Sequence, residues 1–85
     1  MAVLRFLSFG CVHAPITHPG YWAWLMKQIE DVKPDFIINH GDWYEGLAGA
    51  RHKRDPRHNW SLWDEHKAVE KQALEINALA PNSKR

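Results

Sequence analysis

The sequence predicts an α/β fold in which a helix connects two parallel strands. Two short apolar runs, residues 3–9 and 36–39, each end at small and polar residues, and a helix-length amphipathic segment separates them. A strand, a helix and a second strand in this order form a βαβ unit, whose strands run parallel and usually lie side by side. We therefore expect the carboxyl ends of both strands to meet at one edge of the sheet.

The first strand is predicted over residues 3–9, a nearly continuous apolar run with an interruption at Arg5. A nearly continuous run of this kind is typical of a parallel strand that is covered on both faces. Gly10 ends the run, and residues 14–17 form a loop. We therefore expect this strand to lie inside a sheet with both of its faces buried.

The first helix is predicted over residues 20–32, and the second strand follows over residues 36–39. Pro19 suits the first turn of a helix. Lys33 precedes Pro34, which disfavours helical geometry at Lys33 and ends the helix. The apolar side chains that recur at helical spacing are Trp22, Leu25, Met26, Ile29 and Val32.

A loop is predicted over residues 43–60, because glycines and a run of basic residues leave no apolar period there. A second helix is predicted over residues 62–79. Ser61 and Asp64 mark its start, since Ser-x-x-acid is typical of a helix N-terminus. The chain then turns towards the position where a third strand is expected to begin. The predicted apolar face of the helix consists of Leu62, His66, Val69, Ala73, Ile76 and Ala80.

Composition limits the function classes. At 85 residues the chain forms one small domain, and its 45% hydrophobic content and net charge of +1 give no case for a nucleic-acid or membrane partner. The single cysteine excludes an internal disulfide and favours a reducing compartment. No apolar run approaches the length of about 20 residues that crosses a bilayer. We therefore expect a cytoplasmic protein.

Chemically active residues follow both strands. Cys11 and His13 come directly after the first strand, and Asp42 follows the second. Neighbouring strands lie about 4.8 Å apart, so these side chains are expected to converge. Ligands of open α/β sheets bind at the carboxyl ends of the strands. A thiol, an imidazole and a carboxylate at this edge predict a metal centre.

Each of these residues also has a simpler interpretation. Cys11 can be an inert buried thiol, His13 an ordinary loop residue, and Asp42 a residue that caps the turn after the second strand. His40 can pack at the strand end or contact a substrate. Convergence favours the metal role for His13 and Asp42, whereas both interpretations of Cys11 stay open.

The order of strand, Cys11-Val12-His13, helix, strand and Gly41-Asp42 resembles the opening of the calcineurin-like metallophosphoesterases, most closely their phage and prophage members. That family has Asp-x-His after the first strand and Gly-Asp after the second. The segment from Glu75 to Asn82 is similar to the one that leads into the family's third strand. The resemblance covers nearly the whole chain but only the first two family motifs.

The resemblance implies a fold and an activity. Residues 1–85 would form a single partial domain, the N-terminal βαβα portion of a four-layer α/β/β/α sandwich that lacks its later strands. The implied activity is metal-dependent hydrolysis of phosphate mono- or diesters with two divalent ions, either Mn, Fe, Zn or Ni. His13 would bind the first ion and Asp42 would bridge both, which makes these two the catalytic residues. We expect weak or no activity from this portion alone.

Cys11 departs from the family, which has an aspartate at this position. Thiolate is a softer ligand than carboxylate and favours zinc or iron over manganese or magnesium. The residues expected to contact the substrate phosphate are His40, Arg51 and Arg54.

Two other function classes stay open. The chain can be a non-catalytic interaction fragment that binds nucleic acid through the basic loop Arg51–His58, with Trp60 and Trp63 stacking on bases. It can also be a degenerate pseudoenzyme, for which the Cys11 replacement is the only hint. An unpaired sheet edge would further allow a homo-oligomer.

Overall fold

The computed structural model describes residues 3–44 and 60–85. Strand β1 (Phe6–Phe9), helix α1 (Pro19–Val32), strand β2 (Phe36–Asn39) and helix α2 (Leu62–Leu79) follow one another along the chain. The two strands pair in parallel. The predicted α/β class and β-α-β-α order are confirmed. Within the described residues, neither helix combines the length and the apolar character needed to cross a bilayer.

Strand β1 is shorter than the predicted residues 3–9. Pairing begins where Phe6 lies opposite Phe36, the first residue of β2. One residue earlier, the backbone N–H of Arg5 donates to the Asp35 carboxylate (2.9 Å), and the Arg5 carbonyl accepts from the Asp35 N–H (2.9 Å). The backbone N–H and carbonyl of Arg5 therefore bond to Asp35 in the turn before β2, and β1 begins at the next residue, Phe6.

Helix α1 begins one residue before the predicted range of 20–32. Its N-cap is His18, whose side chain accepts backbone N–H groups of the first turn, and proline occupies the first helical position as expected. Lys33 ends the helix in a left-handed conformation (φ 51°), and its N–H donates to the carbonyl of Ile29 at 3.0 Å. The predicted stop before Pro34 is confirmed.

Helix α2 has the predicted bounds, but its buried face differs from the predicted one near its start. Ser61 and Asp64 form the expected capping box. Leu62 and His66 are exposed, whereas Glu65 is 0% exposed. The indole N–H of Trp60 donates to the Glu65 carboxylate at 3.1 Å. A hydrogen-bonded carboxylate can be buried at much lower cost than one without a partner, and this contact accompanies the inward placement of Glu65.

The core lies on one face of the two-stranded sheet. Both helices contribute to it, and its buried members are Phe9, Val12, Leu25, Ile29, Ile37, Ile76 and Ala80. On the opposite face Phe6 is 60% exposed and Ile38 is 46% exposed. The expectation that β1 is covered on both faces is therefore wrong for the described residues, because both helices pack against the same side of the sheet.

The free side of β2 already has the beginning of a further pairing. Lys84 forms a parallel bridge with Phe36, and its carbonyl accepts the N–H of Ile37 at 2.8 Å. Beyond this bridge a groove of about 490 Å³ runs along β2. Its lining is mainly apolar and includes Trp43 and Ile76. Lys84 and this groove therefore lie along the side of β2 that does not pair with β1.

Candidate metal centre

Backbone hydrogen bonds hold together the two turns that follow the strands. The backbone N–H of Cys11 donates to the carbonyl of Gly41 (3.2 Å). The next two bonds run from the N–H of His13 to the carbonyl of Asp42 (3.0 Å) and from the N–H of Ala14 to the carbonyl of Trp43 (2.8 Å). A parallel bridge between Ala14 and Tyr44 ends this series. The parallel alignment of the strands therefore continues beyond their ends, and it fixes the position of the first turn against the second.

Left-handed backbone conformations separate the polar side chains from the core. Cys11, His13 and Asp42 have φ values of 54°, 53° and 58°. Between the first two, Val12 points into the core and is 1% exposed. On either side of Val12, Cys11 is exposed and His13 is half-buried. Val12 thus packs the first turn against the core, and Cys11 and His13 on either side of it stay more accessible.

Cys11, His13 and Asp42 form one group, called here the donor cluster. One ligand atom from each residue lies within 4.8 Å of the others. The Cys11 Sγ lies 3.9 Å from Oδ2 of Asp42, a distance at which the thiol can donate to the carboxylate. The structure therefore brings together the three side chains that the sequence predicts as metal ligands.

The donor cluster has the chemistry and nearly the spacing of a metal site. Protein ligands bind zinc at about 2.0–2.3 Å, so two ligands of one tetrahedral ion lie about 3.3–3.8 Å apart. Binding of one ion would require the donor atoms to approach one another from their present separations of up to 4.8 Å. Three protein ligands with one open position are typical of catalytic zinc sites. The mixed sulfur, nitrogen and oxygen set fits zinc or iron better than magnesium.

A cavity of about 420 Å³ opens beside the donor cluster. Its lining consists of Cys11, Val12, His13, Ile16, His18 and Tyr21. The Tyr21 hydroxyl donates to the carbonyl of Gly10 at 2.7 Å, which ties the first turn of α1 to the end of β1. The cavity is thus bounded by the turn that carries two of the donors and by the start of α1.

His40 lies beside the donor cluster but outside this cavity lining. The backbone N–H of His40 donates to the carbonyl of Phe9 at 2.9 Å, and the imidazole ring of this exposed residue lies against Gly10. A Cβ at Gly10 would come closer to the imidazole than van der Waals contact allows. Gly10 therefore leaves the space that this ring occupies. The substrate contact predicted for His40 stays a prediction.

The remaining predicted contacts fall outside the described residues. Arg51, Arg54 and the basic run Arg51–His58 belong to that part of the chain, as does most of the loop predicted over residues 43–60. Of the aromatic residues around it, Trp60 donates to Glu65, and Trp63 is largely exposed.

Among the cavity residues that sequence reasoning missed, His18 has a polar side chain that can contact a ligand. His18 was not singled out, although it directly precedes the proline at the first helical position, which is where an N-cap residue lies. The usual N-cap residues are Ser, Thr, Asp and Asn, so the imidazole gave a weaker signal than Ser61 did.

Comparison of the chain with models of protein families, with curated proteins and with solved structures finds no match in any of the three.

Proposed function

We propose that this chain carries part of the active site of a metal-dependent phosphoesterase, which hydrolyses phosphate mono- or diesters. One observation carries the proposal: the thiol of Cys11, the imidazole of His13 and the carboxylate of Asp42 converge at the carboxyl ends of two parallel strands. This edge is where open α/β sheets bind their ligands. The cavity beside the cluster has room for a phosphoryl group and part of its ester.

The three donors divide the work of holding the metal. His13 would hold the metal through an imidazole nitrogen, Cys11 through its sulfur and Asp42 through its carboxylate, which is the group we propose to be shared with a second ion. A divalent metal bound there supplies charge neutralisation at the phosphate and lowers the pKa of water. Three donors are too few for two ions, so we expect the 85-residue chain by itself to hydrolyse phosphate esters weakly or not at all.

The fold proposed with this function is the N-terminal βαβα portion of a four-layer α/β/β/α sandwich. Two unfilled surfaces support it. Lys84 begins a third pairing on the free side of β2, next to an apolar groove. The sheet face with Phe6 and Ile38 has no cover among the described residues. A larger sandwich would bury both surfaces.

Metal binding is the direct test. In Asp42→Asn the amide keeps the shape of the side chain, and asparagine tolerates the left-handed backbone, but the anionic ligand is lost. We expect Co²⁺ affinity, measured by the thiolate-to-cobalt absorption band, to fall at least about tenfold. Any hydrolysis of a nitrophenyl phosphodiester should disappear with it.

Asp31→Asn is the matched control. Asp31 lies on the exposed side of α1, where it pairs with Lys27 at 3.4 Å. Like Asp42→Asn, this variant removes one negative charge, but at a residue that is not part of the donor cluster. It should therefore bind Co²⁺ like the wild type. Equal affinity in the wild type and in Asp42→Asn, or no metal binding by the wild type, would contradict the proposal.

A further inference from the structure

His18 faces the cavity beside the donor cluster without belonging to the cluster. His18 lines this cavity of about 420 Å³ together with Cys11 and His13. The group of donors found within mutual reach among the described residues contains Cys11, His13 and Asp42, but not His18. His18 therefore lies where it can contact a molecule bound next to the cluster, and it is outside the set that would ligate the metal.

The capping role of His18 determines which ring nitrogen carries the proton. Nδ1 accepts the backbone N–H of Gly20 at 3.0 Å and that of Tyr21 at 3.4 Å. An accepting ring nitrogen has no proton, so the neutral imidazole carries its proton on Nε2. Both hydrogen bonds that the structure gives to the His18 side chain use Nδ1. Nε2 is thus a hydrogen-bond donor on the opposite side of the ring.

The same two hydrogen bonds strengthen this donor. Hydrogen bonds in a chain polarise one another, so N–H groups that donate to Nδ1 make the Nε2–H a better donor. A donor to an anionic oxygen forms a shorter and stronger bond than one between neutral groups. The helix also holds the ring in place, because rotation of the imidazole would break both capping bonds.

We propose that His18 binds a phosphate oxygen of the substrate through its Nε2–H and positions the phosphoryl group next to the donor cluster. The ligand class rests on the proposed phosphoesterase function. The cap uses one ring nitrogen and the substrate uses the other, so His18 is a binding residue as well as a structural one.

Two substitutions separate these roles. In His18→Asn the side-chain oxygen occupies the place of Nδ1 and can keep the cap, but nothing replaces Nε2–H. In His18→Gln the terminal amide reaches the place of Nε2 and can donate to phosphate, but the cap is weakened. His18→Asn therefore loses the donor to phosphate, whereas His18→Gln loses the helix cap.

The probe is inorganic phosphate, added to the metal-free 85-residue chain at mildly alkaline pH, where imidazole is neutral. The imidazole NMR signals of His18 are followed, with chloride at equal ionic strength as the control. We expect phosphate to shift these signals in a saturable way, and His18→Asn to weaken phosphate binding about tenfold. His18→Gln should keep phosphate affinity within about twofold but unfold at a lower temperature.

The outcomes distinguish this inference from the proposed function. Phosphate binding at His18 without any Co²⁺ binding at the donor cluster would support the inference and count against the phosphoesterase. Unmoved His18 signals, or phosphate affinity in His18→Asn equal to that of the wild type, would overturn the inference whatever the activity. A shift of the His18 signals on addition of Zn²⁺ alone, as large as that of His13, would also overturn it, since His18 would then be a metal ligand.

Discussion

The three residues of the donor cluster share a backbone conformation that L-amino acids avoid. Cys11, His13 and Asp42 all have φ between 53° and 58°. The left-handed conformation costs an L-residue about 1–2 kcal/mol, and least for Asp and Asn. Strain of this kind concentrates at functional sites, where the surrounding structure holds it in place. Here the hydrogen bonds between the two turns do so.

Cys11 allows this strain to be measured, because its side chain is exposed and loses little packing when it is replaced. We expect Cys11→Gly to raise the free energy of unfolding by up to about 1 kcal/mol relative to Cys11→Ala, since glycine adopts positive φ at no steric cost. Both variants remove the thiol and should lose the cobalt absorption band equally. Urea denaturation measures the first effect and Co²⁺ titration the second.

Cys11→Ala is the matched control, because it lacks the sulfur but keeps the Cβ that causes the strain. Elsewhere in a folded chain alanine is usually the more stabilising of the two residues. If the alanine variant were more stable than the glycine variant, the turn would carry no steric strain at this position.

At the residue scale, the sequence predicted which side chains meet but not how the backbone presents them. The convergence of Cys11, His13 and Asp42 followed from strand ends that must lie side by side. The left-handed conformations could not be predicted, because none of these residues is glycine, the usual signal for positive φ. The cap at His18 was missed for a similar reason, since histidine is not a common N-cap residue.

At the element scale, the two helices begin with different capping chemistry. Ser61 and Asp64 cap α2 reciprocally, whereas an imidazole caps α1. The backbone N–H and the hydroxyl of Ser61 donate to Asp64 at 2.8 Å and 3.1 Å. These two hydrogen bonds, the backbone one first, hold the pKa of the Asp64 carboxyl below its ordinary value of 3.8. The charged form of Asp64 therefore stabilises the folded state.

This pKa shift predicts a pH dependence for Asp64→Asn. Because the folded-state pKa is the lower one, the contribution of the charged carboxylate is fully present above pH 3.8. It is lost as the pH falls through the folded-state pKa. We expect the wild type to be more stable than Asp64→Asn near neutral pH, and the difference to shrink in acid. Thermal unfolding of both proteins from neutral pH to about pH 3 measures it.

Ser61→Ala serves as the control for this prediction. It removes the hydroxyl donor but leaves the backbone N–H that also donates to Asp64. The pH dependence should therefore become smaller without disappearing. A stability difference between wild type and Asp64→Asn that stays constant down to the lowest pH would show that the charge of Asp64 does not contribute through the cap.

Local signals predicted the ends of the helices, and apolar spacing predicted the buried residues Ile76 and Ala80, but not the burial of Glu65 in place of Leu62 and His66 at the start of α2. The capping box and the Lys33–Pro34 step lie within a few residues of the ends they determine. The rotation of α2 depends on contacts between distant elements. The indole N–H of Trp22 donates to Glu75 at 2.7 Å, and that of Trp43 donates to Gln72 at 2.9 Å. The spacing of apolar residues along a helix does not predict such hydrogen bonds between polar side chains.

At the scale of the whole molecule, the described elements form two layers with the helices on one side of a two-stranded sheet. The sequence predicted the strands and their parallel order, but a continuous apolar run also suggested cover on both faces. Phe6 and Phe36 instead stack on each other at 5.0 Å on the side opposite the core. Apolar residues fall on both faces of the strands, so the composition could not show which face the helices cover.

This one-sided arrangement predicts a contrast between two neighbouring isoleucines of β2. Ile37 is 4% exposed and belongs to the core, whereas Ile38 is 46% exposed on the opposite face. Ile37→Thr should lower the free energy of unfolding by about 2 kcal/mol or more, because it removes buried methyl groups and buries a hydroxyl. Ile38→Thr should change it by less than about 1 kcal/mol, since threonine is also β-branched and its hydroxyl stays in water. Urea denaturation at low protein concentration compares the two, and equal losses would mean that in solution another layer covers the face of Ile38.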